Sequence, residues 1–144
     1  MKTTEELRLS YDCAGVDWEK ISAILKEVGM AFYEPNIHKQ AFEASYIKVF
    51  IYSNNQLVGF GRAISDGFYQ AAIYDVAVIP AFQKKGIGSF ILKSLINQLS
   101  GCNILLYATP GVEPFYTELG FRSMKTGMAL FTASELMQKK RFIE

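Results

Sequence analysis

Three places in this 144-residue chain carry residue types and spacings that could do chemistry. The first is the loop Gln83-Lys84-Lys85-Gly86-Ile87-Gly88, which follows Val76-Ala77-Val78-Ile79-Pro80-Ala81-Phe82 and runs into an apolar stretch from Ser89 to Leu99. A loop feeding a helix N-terminus leaves several backbone N–H groups without partners, and the helix dipole adds partial positive charge there. Such a place takes anions, most often phosphate. Gly86 and Gly88 let the backbone approach a ligand closely, and Lys84 and Lys85 add charge at the mouth. The second place is Asp75, a carboxylate inside an apolar strand pattern, where an ionised group is costly unless it is paired or functional. It reads as a functional carboxylate or as a structural hydrogen-bonding group. The third is an aromatic set, Phe32, Tyr33, Phe68, Tyr69 and Tyr74, which would line an apolar pocket or cover the core.

Other phosphate loops fit this pattern poorly. A P-loop ends in Gly-Lys-Ser/Thr, whereas Gly88 is followed by Ser89-Phe90. A dinucleotide fingerprint needs a third glycine where Ile91 stands. His38, the only histidine, falls in the first turn of a polar-faced helix and reads as a surface residue rather than a catalytic base.

These groups must be positioned by regular elements, and the hydrophobic periods predict them. Leu7 to Tyr11 alternates as a half-buried strand. Asp17 caps a helix over Trp18 to Val28, with Ile21, Ile24, Leu25 and Val28 on one face and Gly29 as its stop. Asn36 is the expected cap of a second helix, Ile37 to Ser45. Tyr46 to Ser53 and Leu57 to Ser65 form a hairpin across Asn54-Asn55-Gln56, with Gly59 and Gly61 suggesting a bulge or a close backbone approach. Asp66-Gly67 turns the chain into a third antiparallel strand, Gln70 to Ile79. A buried helix over Ser89 to Leu99 and an apolar strand over Asn103 to Ala108 complete a crossover, which implies a parallel pair. Then come a short helix from Val112 to Leu119, a last strand from Phe121 to Phe131, and a final helix capped by Thr132 or Ser134. The fold class is therefore α/β (α+β): a mixed, mostly antiparallel sheet flanked by helices.

Composition agrees with one ordinary globular domain over residues 1 to 144. Apolar residues are 50% and charged residues 20%, and the formal net charge is +1, so no nucleic-acid partner is expected. An RNA-binding reading lacks a basic aromatic surface. Cys13 and Cys102 are too few for a disulfide scaffold and read as reduced thiols of a cytoplasmic protein. The N-terminus is polar and acidic, unlike a signal peptide, and no apolar run is long enough to span a membrane.

Taken with this element order, the motifs resemble those of the GCN5-related N-acetyltransferases, the GNAT superfamily. Its Arg/Gln-x-x-Gly-x-Gly/Ala loop matches Gln83 to Gly88, after a strand that ends in Val76-Ala77-Val78-Ile79-Pro80. Pro114-Phe115-Tyr116-Thr117-Glu118-Leu119-Gly120-Phe121 looks like its Phe-Tyr-x-x-x-Gly-Phe segment. The two motifs span residues 76 to 121, and the element order resembles the family over nearly the whole chain.

The resemblance implies a sheet splayed at the cofactor strand and acetyl-CoA as acetyl donor. Gln83, Lys84, Lys85, Gly86, Ile87, Gly88 and Ser89 would cradle its pyrophosphate, and Val76, Ala77 and Val78 would bind its pantetheine arm. An N–H of that strand would polarise the acetyl carbonyl. The reaction would be direct attack by a neutral amine, with no covalent enzyme intermediate, no need of either cysteine and no metal. Tyr116 occupies the position of the family's general acid, although a packed aromatic would also satisfy a Phe-Tyr pair. Asp75 is the first candidate for the base, ahead of Glu34, Glu113 and Tyr69. Phe32, Tyr33, Tyr69 and Tyr74 would bind the acceptor, for which a small-molecule amine is favoured over a protein amine. Thr109-Pro110-Gly111-Val112-Glu113 departs from the asparagine that many relatives carry in this turn. A homodimer is an implied assembly, with the last strand pairing with or exchanging into a neighbour. The other class of function is a cofactor-binding sensor or partner-binding module without turnover.

Overall fold

The computed structural model describes residues 6–144, and the polar N-terminal stretch Met1 to Glu5 lies outside them. The chain divides into two compact units, one through Leu106 and one over Tyr107–Glu144.

The first unit holds a five-stranded sheet. Its strands are β1 (Leu7–Ser10), β2 (Ile47–Ser53), β3 (Gln56–Ser65), β4 (Gln70–Val78) and β5 (Asn103–Leu105), in the order β1-β2-β3-β4-β5. β1 to β4 are antiparallel neighbours, as the alternating patterns and the two turns predict. β4 and β5 are parallel, as the strand–helix–strand order requires. Asn54 and Asn55 make the β2–β3 turn with φ of 48° and 67°, a left-handed pair that asparagine tolerates.

Helices α1 (Trp18–Glu27) and α2 (Pro35–Glu43) cover one face. Asp17 caps α1 by accepting from the Lys20 N–H at 3.2 Å. Trp18, Phe42, Phe50 and Phe60 meet beneath them with ring centroids 5.5–6.1 Å apart. The expected Asn36 cap is not used. α2 starts two residues earlier, with Pro35 in the first turn and Glu34 as an N-cap that makes no side-chain bond. Proline suits that position because its fixed φ is helical and its missing N–H would have had no partner.

Helix α3 (Ile87–Asn97) packs on the other face, through Ile87, Ile91, Leu92 and Leu95. It begins two residues before the expected Ser89, because left-handed Gly86, φ 85°, sets the N-cap itself. Phe60 points to α2, so alternation turns Gly59 and Gly61 toward α3. They leave α3 room: a Cβ on Gly61 would stand 3.0 Å from Ile91 Cγ2, 3.1 Å from Val76 Cγ2 and 3.2 Å from Leu95 Cδ1. The close approach expected from these glycines is therefore that of a helix.

The second unit carries α4 (Glu113–Glu118) and α5 (Ser134–Lys139), with Tyr107 edge-on to Phe131 and Phe142. The strand expected over Phe121 to Phe131 does not form. Its side chains include Met128 and Leu130, which are 98% and 99% exposed. An alternating segment becomes a strand only when an edge pairs with it, and among the described residues none does. α5 is capped by neither Thr132 nor Ser134; its N-cap is Ala133, and the Ser134 hydroxyl donates to the Phe131 carbonyl at 2.9 Å.

The glycine packing predicts a cost. Gly61→Val should lower stability by about 1–3 kcal/mol, as overpacking does, read as a lower urea midpoint. An unchanged midpoint would mean that α3 does not rest on this strand.

Candidate functional site

β4 carries the site, and its pairing explains why. Phe60 pairs with Ala77 and Arg62 with Tyr74, so Gly61 alone faces both Asp75 and Val76. Two residues opposite one is a β-bulge. Asp75 sits in it at φ 57°, a left-handed conformation that aspartate adopts more readily than most residues. On its other side β4 pairs with β5 only at Gln70, Ala71 and Ala72. From Ile73 to Val78 no strand among the described residues pairs with that edge. Val76, Ala77 and Val78 thus lie on an open edge just past a bulge, the splayed geometry that the family resemblance implies.

The chain leaves β4 through Ile79, whose N–H donates to the Val58 carbonyl at 2.9 Å. A 3-10 turn over Pro80–Phe82 follows. The Gln83 side-chain amide reaches back to the Val78 carbonyl at 2.9 Å, so Gln83 braces the loop against the strand. Lys84, φ 62°, and Gly86, φ 85°, are both left-handed. Such alternation curls successive N–H groups toward one point and makes an anion nest. Among the described residues, none of the N–H groups from Lys84 through Ser89 donates to another protein group; the first bonded one is Phe90, to the Gly86 carbonyl at 3.0 Å. Lys84 and Lys85 are exposed at this mouth, with Lys85 Nζ 5.1 Å from the centre of the Phe82 ring. The donors a diphosphate would need are therefore present, oriented and unspent.

Asp75 Oδ2 accepts from Arg62 Nε at 2.7 Å, and both side chains are mostly buried, at 22% and 15% exposure. Arg62 also donates from Nη1 to Ser45 Oγ at 3.3 Å and lies over the rings of Phe42 and Tyr74, at 5.7 and 5.3 Å. Asp75 is thus an engaged ion-pair partner at the bulge. Arg62 is the site residue that the sequence reading missed. The signal was there: an arginine and an aspartate, each inside an apolar strand, on strands expected to be neighbours.

His38 is a correction. It is 3% exposed, not a surface residue. α2 turns His38 and Phe42, four residues apart, to the same buried side. Nε2 of His38 accepts from the Tyr33 N–H at 2.8 Å, which pays for its burial. Burial pushes the imidazole below its ordinary value; Asp75 opposes the shift and Arg62 adds to it.

The other named residues are distributed as follows. Tyr33 packs against His38 with ring centroids 5.7 Å apart and planes tilted by 54°, and Lys26 Nζ lies 5.6 Å from the Phe32 ring centre, with both aromatic rings partly in solvent. Tyr33 and His38 form one contact pair, Arg62, Tyr74 and Asp75 form another group at the bulge, and the charges of Asp75 and Arg62 act on the imidazole between them. Tyr69 stands apart, before the first residue of β4, six residues from Asp75, or about 20 Å of strand. In the second unit, Tyr116 lies on α4 edge-on to Phe115 and Phe121, at 5.0 and 6.0 Å. Its carbonyl accepts from the Phe121 N–H at 3.1 Å across Gly120, φ 97°. Burial raises the phenol above its ordinary value, so the hydroxyl keeps its proton at neutral pH.

Comparison with known proteins places these features. The sequence profile of the family described as "Acetyltransferase (GNAT) family" matches residues 11–121. "Serotonin N-acetyltransferase 2, chloroplastic" of Oryza sativa subsp. japonica is 31% identical over 134 residues, covering 86% of this chain and 67% of that protein. "GCN5-related N-acetyltransferase 1, chloroplastic" of Arabidopsis thaliana is 46% identical over 74 residues, covering 49% of this chain and 38% of that protein. The chain thus spans about two fifths to two thirds of the length of these relatives. Among solved structures, a GNAT-family acetyltransferase of Streptococcus pneumoniae TIGR4 superposes with a TM-score of 0.74 at 22% identity, covering 88% of this chain and 98% of that one, which shows the shared fold.

The ion pair at the bulge is open to a double-mutant cycle. Arg62→Met should cost about 3 kcal/mol by leaving a mostly buried carboxylate unpaired. Asp75→Asn keeps the left-handed backbone, so the double variant should recover part of that loss in urea unfolding. Additive losses would show that the pair does not hold the bulge.

Proposed function

The chain belongs to the acetyltransferase (GNAT) family, and from that premise we propose that it moves an acetyl group from acetyl-CoA to the primary amine of a small molecule by direct attack. The observation that carries this reading is the run of unspent N–H groups from Lys84 through Ser89, next to the open edge of β4. We take residues 1 to 144 as one catalytic domain.

Acetyl-CoA, when bound, supplies the activated thioester. The N–H groups of Lys84 to Ser89 hold its diphosphate, with Lys84 nearby for charge. Gln83 keeps the loop in place through the Val78 carbonyl. The backbone of Val76, Ala77 and Val78, on the edge that no strand among the described residues joins, offers the groups not already used by Gln83 to the amides of the pantetheine arm, and an N–H there stabilises the oxygen that becomes negative. This is electrostatic assistance from donors held in place before the reaction, so little reorganisation is needed at the moment of transfer.

The amine must shed a proton to attack. Asp75 sits in the bulge next to Val76, and its pairing with Arg62 makes it an anchor for the incoming ammonium rather than a free base. Proton loss then goes to solvent at the cleft. Tyr116 Oη holds a proton at neutral pH and serves as the acid for the departing thiolate. On the acceptor side Phe32, Tyr33 and Tyr74 present aromatic faces suited to an arylalkylamine. The relative named for serotonin supports that acceptor class.

No helix among the described residues is long and apolar enough to cross a membrane. Cys13 and Cys102 are free thiols. We place the chain in a reducing compartment, the cytoplasm, or a plastid as for the two relatives named chloroplastic.

Thiol release from acetyl-CoA against a panel containing serotonin, 2-phenylethylamine, spermidine and a lysine peptide tests the proposal. Release with the aromatic amines is expected, and Tyr116→Phe should lower kcat by about 10²-fold or more while leaving the acetyl-CoA Kd unchanged. Gly86→Val, which forces a branched side chain into a left-handed position, should weaken acetyl-CoA binding in calorimetry. Tight acetyl-CoA binding without release on any amine would sink the enzyme reading in favour of a sensor. Release on the peptide alone would sink the small-molecule acceptor.

A further inference from the structure

The segment between α1 and α2 has almost no regular structure, yet one residue in it is tied at both backbone groups. The Tyr33 N–H donates to His38 Nε2 at 2.8 Å, and the Tyr33 carbonyl accepts from Ser22 Oγ at 2.7 Å. The two ties come from different helices, Ser22 on α1 and His38 on α2. The Tyr33 ring is left 58% exposed and rests on the imidazole. An irregular loop normally bonds its backbone to water; here the protein spends a buried histidine on one amide.

We infer that His38 is a positioning residue for the acceptor loop: its neutral imidazole fixes the backbone of Tyr33, and its protonation releases that loop and weakens acceptor binding. The inference rests on the proposed acceptor role of Phe32 and Tyr33.

The chemistry is specific to one protonation state. A neutral imidazole protonated at Nδ1 presents a lone pair at Nε2 and accepts the Tyr33 N–H. An imidazolium has N–H on both nitrogens, so the Tyr33 N–H would face another donor. The contact then turns from attraction to repulsion, and the loop must move or the proton must leave. The Tyr33 ring packs on the imidazole, and the charges that act on it are Asp75 on β4 and Arg62 on β3. Asp75 favours the imidazolium, and Arg62, its partner in the ion pair, disfavours it by less. Burial is left as the largest influence and holds the ring neutral. The sign follows. The folded-state value lies below the ordinary one, so the tie is complete above the ordinary histidine range and is lost as pH falls through the lowered value. Spending a titratable acceptor here, where a glutamine would not titrate, gives the loop a response to acid. Ser22 keeps one end of Tyr33 attached throughout, so the release is a local loosening rather than an unfolding.

Amide hydrogen exchange of Tyr33, corrected for intrinsic rates, tests the tie without any acceptor. In the wild-type chain its protection should fall about tenfold or more between about pH 8 and pH 5, while amides of β3 keep theirs. His38→Gln places an oxygen acceptor near Nε2 and does not titrate, so its Tyr33 protection should stay flat. The acceptor KM for serotonin and 2-phenylethylamine, measured over the same range, should rise in acid by a larger factor for wild type than for His38→Gln. Taking that ratio cancels the protonation of the amine itself. kcat at saturating acceptor should change equally in both. Wild-type protection that does not move with pH, or a His38→Gln chain that titrates like wild type, would overturn the inference. Protection that titrates while the KM ratio stays flat would leave the tie standing and overturn the acceptor role of the loop.

Discussion

One ion pair, Arg62 Nε to Asp75 Oδ2 at 2.7 Å, holds the chain where β4 changes from a paired strand to an open edge. A bulge there is unstable on its own, because it puts a non-glycine residue at φ 57° and opposes two residues to one. The guanidinium compensates by fixing the side chain that the bulge turns inward. The same guanidinium lies over Phe42 and Tyr74 and touches Ser45, so α2, β3 and β4 are tied at one point. Removing either charge would leave the other mostly buried and alone, which the interior does not tolerate. Both sides of the proposed chemistry then meet at this pair: the cofactor edge begins at Val76, and the acceptor loop rests on His38, whose ring feels both charges.

The opposite face of the sheet imposes a complementary constraint. α3 can deliver its N-terminus to the end of β4 only if its axis lies close to the strands, and Gly59 and Gly61 allow that closeness. The bulge on one side and the two glycines on the other are parts of one arrangement, since Gly61 is the residue that faces the bulge. A strand with an unpaired edge would ordinarily invite aggregation. Here the length that no strand among the described residues joins is short, Ile73 to Val78, and it includes the Val76 to Val78 stretch that a pantetheine arm would occupy under the proposed function.

Much of this was legible in the chain. The loop Gln83 to Gly88, the proline before it and the distant Phe115-Tyr116 pair pointed to the same family that the profile and the relatives identify. The meander and the parallel pair followed from alternation and from the apolar strand after α3. Beyond the shifted helix caps, three features were misjudged, each for a reason that single-residue preferences cannot see. His38 looked exposed because polar first-turn residues usually are, but its spacing to Phe42 put it on the buried side. Arg62 was passed over because an arginine in a strand is informative only once its partner is known. Phe121 to Phe131 has the composition of a strand and no edge to join.

The sequence by itself determined what depends on local order along the chain: the helix stops at glycine, the Asp17 cap, the two-residue asparagine turn, the anion loop and the family it belongs to. Those signals are short-ranged, so they survive being read one stretch at a time. The tertiary structure alone decided what depends on residues far apart: the pairing of Arg62 with Asp75, the bulge that it stabilises, and the tie from His38 to Tyr33. Each of these is a buried polar group whose cost is met by a partner on another element, and the identity of such partners is set only when the elements pack.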